Sequence, residues 1–254
     1  MNNNWHKKEK PLLGLTGLGG GVDGLAVVGA AAKTYIDEVF STYVYPGDSS
    51  SDRTITNSID LSSNGGLVWT KARDNGLDWH LFNTDSGLNK YQVANSSAAE
   101  STIGGGDSNY NNTLKSFNTD GFSLGSSNIV NSSSYNYASW TFRKQEKFFD
   151  MVTWTGTGSA QLISHSLGST PGLIMIKCTS GAENWVVYHR SVGNGSYLIL
   201  NTSAASQTDS GGSVFNGISP TDTTFSVGTH ALTNGNGGTY IAYLFAHNNS
   251  DGPF

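Results

Sequence analysis

A chain of 254 residues with 13% charged side chains, a net charge of −5 and a single cysteine leaves few options open. The charged fraction is about half the ~25% of an ordinary soluble domain, and no Lys/Arg run offers a nucleic-acid surface. One cysteine, Cys178, excludes an internal disulfide. The 32 glycines, the abundance of Ser, Thr and Asn, and aromatics at 11% suit an all-β protein with long polar loops. They do not suit a disordered chain, because the aromatics can build a core.

Residues 1–35 come first. A polar start with Lys7, Lys8 and Lys10 leads into Pro11–Gly21, where Leu and Gly alternate, and then into the apolar Val22–Ala32. The longest uncharged apolar stretch, 24–32, has nine residues; a membrane span needs ~20. Gly19-x-Gly21-x-x-Gly24 fits the dinucleotide fingerprint, but no β-rich strand precedes it and no βαβ unit surrounds it. Dense glycine allows close approach of chains, so this section reads as an attachment segment that orders against another subunit, with a flexible leader as the alternative. Thr34–Phe40 is the one stretch that reads as a short helix.

Strand signals follow in a repeated order. Tyr43–Gly47, Leu67–Ala72, Trp79–Phe82, Tyr91–Val93 and Tyr137–Phe142 are answered by Val152–Gly156, Leu173–Cys178, Trp185–Tyr188, Tyr197–Leu200 and Tyr240–Phe245. From Gly66–Ala99 to Gly172–Ala205 the offset is a constant 106 residues, and 10 of the 34 positions are identical. After a three-residue deletion the match resumes at an offset of 103, pairing Phe122–Gly125 with Phe225–Gly228 and Asn131 with Asn234. A repeat of this length is a domain duplication rather than a solenoid. The expected organisation is a Gly-rich N-terminal attachment segment (1–35) followed by two tandem antiparallel β-sandwich, lectin-like repeats (36–145 and 146–254) in series. Apolar residues on both faces of Leu173–Ile176 and Trp185–Tyr188 mark central strands covered on both sides.

The duplication also acts as a filter: a residue kept in both copies builds the fold, and one present in a single copy is not required by it. Gly121-Phe-Ser-Leu-Gly125 fits the nucleophile elbow, but the Asn/Ser-rich stretch after it forms no helix and the partner copy lacks the first glycine, so Ser123 and Ser226 read as strand residues. Asp107-x-Asn109-x-Asn111 opens like a calcium loop but lacks its turn glycine and closing Glu. The six histidines show no zinc spacing. None of the 19 acids recurs between matched positions as a glycosidase pair would. Cys178, opposite Ala72, reads as a small buried hydrophobe. Sugars stack on exposed Trp and Tyr, yet Trp79/Trp185 are identical while Trp69/Met175, Trp140/Tyr243 and Tyr45/Trp154 exchange bulky apolar groups, as core positions do. Loop residues that differ between copies (Arg73, His80, Tyr110, His189 and Arg190) are the remaining candidates for contact with a ligand. No catalytic residue, metal ligand or cofactor is assigned.

Several stretches resemble virion structural proteins of marine tailed phages, cyanophages among them: the opening Lys8–Gly21, Gly65–Asp74, Asp120–Asn131, Tyr137–Lys144, His165–Lys177, Trp185–Ser191 and Gly237–His247. Such proteins are taken for tail-fibre or appendage components built from repeated β-sandwich modules. The resemblance implies a non-enzymatic virion protein, anchored to tail or adaptor proteins through residues 1–35 and trimeric as phage fibres are, with host-surface glycan as a candidate partner. It implies no nucleic acid and no membrane insertion. A surface-polysaccharide depolymerase on a lectin/glucanase-like sandwich and a capsid decoration protein are the alternatives. The ending Asn248–Phe254 reads like the start of a further segment.

Overall fold

The computed structural model of the chain describes residues 34–88, 90–102 and 112–247. Nearly all regular structure there is strand, and every strand pairing is antiparallel. The all-β sandwich expected from composition and turn spacing is present. The stretch expected as a short helix is a single 3-10 turn, Ile36–Glu38, because the β-prone run from Phe40 takes over at once.

The first half contributes β1 (Phe40–Pro46), β2 (Arg53–Thr56), β3 (Gly66–Ala72), β4 (His80–Asn83), β5 (Lys90–Val93), β6 (Ser101–Thr102), β7 (Leu114–Phe117), β8 (Gly121–Leu124) and β9 (Asn136–Arg143). The second contributes β10 (Phe149–Thr155), β11 (Gln161–Ser164), β12 (Pro171–Cys178), β13 (Val186–His189), β14 (Ser196–Ile199), β15 (Gln207–Thr208), β16 (Thr224–Val227) and β17 (Thr239–Ala246). One six-stranded sheet runs β1-β9-β3-β4-β5-β6, and the other runs β10-β17-β12-β13-β14-β15. In each, the first strand of the half pairs with its last. Each half therefore closes on itself, and only residues 144–148 lie between β9 and β10.

Each large sheet carries a smaller one on its outer face, β2-β8-β7 in the first half and β11-β16 in the second. The period-2 alternation of side chains explains the layering. On β3, Val68 and Ala72 join Ile55, Phe122 and Leu124 of the small sheet in one core. On β12, Ile174, Ile176 and Cys178 join Ile163, Phe225 and Val227 in another. The intervening residues Leu67, Met175, Val187, Ile241 and Tyr243 form a third core that draws on both halves. There Phe142, Phe149 and Phe245 meet with ring centroids 5.0–5.5 Å apart.

The two halves are thus not strung in series. They stack face to face, giving four layers with a shared centre. The physical reason is the one that made the central strands legible: a sheet apolar on both faces needs a cover on each, and one small sheet supplies only the outer one.

Local bonds recur at matching positions. Tyr45 stacks on Tyr137 and Trp154 on Tyr240, both at 5.4 Å and 16°. Tyr137 Oη donates to Asn128 O and accepts from Ser132 N; Tyr240 Oη donates to Ala231 O and accepts from Gly235 N. The fully buried Asn131 and Asn234 tie the opposite loop through Ser50 O and Ser159 O. The small sheets differ. Where β7 runs as a third strand, Val214 to Gly217 turns back, with Asn216 and Gly217 at φ 54° and 64°. Ser123 and Ser226 lie in β8 and β16, where their hydroxyls accept from Asn118 and Asn216.

Candidate functional site

The inner face of the first large sheet carries three tryptophans. Trp69 and Trp140 are cross-strand partners on β3 and β9. Trp79 precedes β4 by one residue, which places it on the same face as Leu81, Trp69's partner across β3 and β4. The indoles meet: Trp79 stacks on Trp140 at 5.7 Å and 24°, and Trp69 stands edge-on to Trp79 at 6.2 Å. Trp79 is 37% exposed, whereas Trp69 and Trp140 are half-buried.

The same grid in the second half holds Met175, Trp185 and Tyr243. Trp185 is fully buried, stacks on Tyr243 at 6.0 Å and donates from Nε1 to Val93 O at 2.9 Å. The expectation that both identical tryptophans belong to the core therefore holds for Trp185 and fails for Trp79.

The cause is how the connecting segments lie. Residues 93–100 are laid against the second half: Lys177 Nζ donates to Ser97 O and Glu100 N to Thr179 O, at 3.2 and 3.0 Å. Of their counterparts 199–206, residues 202–206 are exposed, and Leu200 lines the same groove as Trp69 and Trp79. What remains is a groove of about 290 Å³ lined by Trp69, Trp79, Ala94, Asn95 and Leu200.

The polar groups at the groove are held by the fold. Asn95 Oδ1 accepts from Trp79 N at 3.0 Å, and its Nδ2 donates to Asp78 Oδ1 at 2.7 Å. Asn201 makes the matching bonds with Trp185 N and Asn184. Each asparagine thus fixes the start of the strand that carries its tryptophan. Lys71 Nζ donates to Ala72 O and Asn75 O and lies 5.9 Å from the centroid of the Trp79 ring, within cation–π range. Trp69 Nε1 is shielded from solvent and has no hydrogen-bond partner.

Between the halves, Tyr243 Oη accepts from Asn83 Nδ2 at 3.0 Å and donates to Gln92 Oε1 at 2.7 Å. Burial pushes the Tyr243 hydroxyl well above its ordinary pKa, so it stays protonated. Glu100 bonds Gln92 and Ser86 and pairs with Lys90 at 3.1 Å. This network fixes the register of the two large sheets.

The loop residues singled out from the sequence are not brought together. His80 lies inside the outer core beside Tyr91 and is 3% exposed, which removes it as a surface contact. Arg73 is exposed at the end of β3. His189 Nδ1 accepts from Ser191 N, and Arg190 lines a separate cavity of about 380 Å³ with Thr170, Pro171, Tyr188 and His247. Tyr110, the Asp107–Asn111 stretch, residues 1–33 and residues 248–254 lie outside the described residues. Among the described residues no three His, Cys, Asp or Glu side chains converge as a metal site, and no helix is long and apolar enough to cross a membrane. Cys178 is buried and free.

His80 makes the first prediction. Burial lowers its pKa from 6.5 to about 4, and Nδ1 has no partner. Between those values the unfolded chain binds a proton that the folded chain does not. Stability contributed by the neutral imidazole is therefore complete above pH 6.5 and falls by about 3 kcal/mol on acidification to pH 4. Denaturant titrations of wild type and His80→Val across pH 4–7 should show this slope in wild type and a flatter one in the variant. The second half carries Val186 at the matching place.

The sequence does contain a signal for the groove. Trp occupies all three grid positions in one half and a single one in the other, so two of the indoles are not demanded by the fold. No curated protein and no solved structure is significantly similar to the chain. A family model described as a domain of unknown function (DUF7483) matches residues 37–250, covering both six-stranded sheets, and the chain belongs to that family.

Proposed function

We propose that this chain is a non-enzymatic structural protein of a tailed-phage virion, a tail-fibre or similar appendage component. In this reading residues 1–35 anchor it to the tail or an adaptor, the mature form is a homotrimer, and the duplicated β-sandwich halves serve as spacing and host-adhesion modules. One observation supports it above others: what recurs in both halves is scaffold. Tyr137 and Tyr240 tie their loops, Asn95 and Asn201 pin strand starts, and Lys71 and Lys177 cap the loop carbonyls of Asn75 and Glu183. Duplicating scaffold without duplicating a site extends reach or contact area rather than chemistry. The wording of the sequence, which resembles virion proteins along nearly its whole length, supports the same reading.

Mass spectrometry of density-banded particles tests it. The full chain should be present in the particles, and a chain lacking residues 1–35 should fold but be missing from them. Absence of the full chain from particles would overturn the proposal, and incorporation of the truncated chain would overturn the anchoring role.

A further inference from the structure

We propose that the groove at Trp69, Trp79, Asn95 and Leu200 is a glycan-binding site that takes a neutral pyranose unit. The inference deepens the adhesion reading and rests on it only for the source of the sugar.

The duplication supplies the argument. At Trp185 the fold shows how it closes this position when no ligand is needed: residues 93–97 cover the ring and Val93 O takes its N–H. At Trp79 the same ring is left 37% exposed, and two further indoles are placed beside it where the other half uses Met175 and Tyr243. Over a third of the Trp79 ring thus faces solvent beside two half-buried indoles, an aromatic surface open to a stacking ligand. Trp140, stacked on Trp79 at 5.7 Å, acts as a positioning residue that holds the ring.

The chemistry selects a sugar. A pyranose has apolar C–H faces and a girdle of hydroxyls. The indole faces match the first, as their negative π surface attracts polarised C–H groups. Asn95 matches the second: its amide spends one N–H on Asp78 and one oxygen lone pair on Trp79 N, leaving one donor and one acceptor. A hydrocarbon chain has no use for these polar groups. At about 290 Å³ with five lining residues, the groove is at the small end of ligand sites. Its five lining residues are far fewer than the roughly 20–30 a side of a protein interface. The net charge of −5 disfavours acidic polymers.

The test is calorimetric titration of the full chain with maltohexaose, cellohexaose, laminarihexaose, mannohexaose and β-galactohexaose, with decanoate as the apolar control. At least one oligosaccharide should bind with a dissociation constant of about 0.1–1 mM. Trp79→Ala should weaken it at least tenfold, and Leu162→Ala, an exposed apolar residue elsewhere, should leave it unchanged. A Trp79→Ala melting temperature close to wild type shows that the loss is not unfolding. Binding of none of the five, equal binding by Trp79→Ala, or binding of decanoate alone overturns the proposal. Those outcomes leave the virion assignment standing, because that assignment is read from particle content.

Discussion

Trp185→Ala should destabilise the chain by about 3–5 kcal/mol, the range for deleting a large aromatic from a packed core. The ring is fully buried between the sheets, stacks on Tyr243 and donates to Val93 O. Its loss opens a cavity and removes one of the two donors to Val93 O, leaving Ser96 N. Trp79→Ala, the same substitution at the matching position, should cost no more than roughly 1 kcal/mol, since the ring is over one-third exposed. Urea denaturation of the two variants measures the difference directly. Equal losses would mean that the halves are packed symmetrically, contrary to the arrangement described here.

Lys177→Met gives the second large effect. Lys177 is fully buried, and its Nζ donates to Cys178 O and Glu183 O at 2.8 Å, to Ser97 O at 3.2 Å and to Gly181 O at 3.3 Å. Methionine fills similar volume but withdraws the ammonium from these carbonyls, of which Gly181 O keeps Glu183 N, at a cost of about 3 kcal/mol. Because Ser97 belongs to the other half, the substitution also loosens the cover over Trp185. Exchange of the Trp185 indole hydrogen, followed by NMR, should then quicken by more than tenfold. Lys71→Met should cost about 1 kcal/mol, since Lys71 is half-buried and donates to two carbonyls beside solvent. A Lys177→Met protein as stable as wild type would contradict the role given to this ammonium.

Much of the fold was legible because its signals are local. Alternation and β-branched or aromatic runs mark β3, β9, β12 and β17, and the two apolar faces of Leu173–Ile176 and Trp185–Tyr188 imply a cover on each side. The order of the strands and the stacking of the halves were not legible, because they depend on which faces find each other. Arg53–Thr56, with a single apolar residue, and Gln161–Ser164, with two adjacent ones, are too short and too weakly patterned to be expected as strands. The groove escaped for a different reason. Exchange of Trp69 for Met175 and of Trp140 for Tyr243 looks like ordinary core substitution, and only the lie of residues 93–100 against one half shows that the other stays open. A histidine present in one copy reads as a surface variation, yet the outer core encloses His80 against Tyr91.

These asymmetries carry the functional account. The bonds common to both halves build two like scaffolds, while the tryptophans of the groove belong to the first alone. In the proposed role, that groove is where an appendage component would touch a host surface. The most direct measurement is the position of the chain in an intact particle, read by cryo-electron microscopy with gold-labelled antibody against residues 34–247. The account predicts density on tail appendages in threefold arrangement. Label on the capsid faces, or none on the particle, would contradict it.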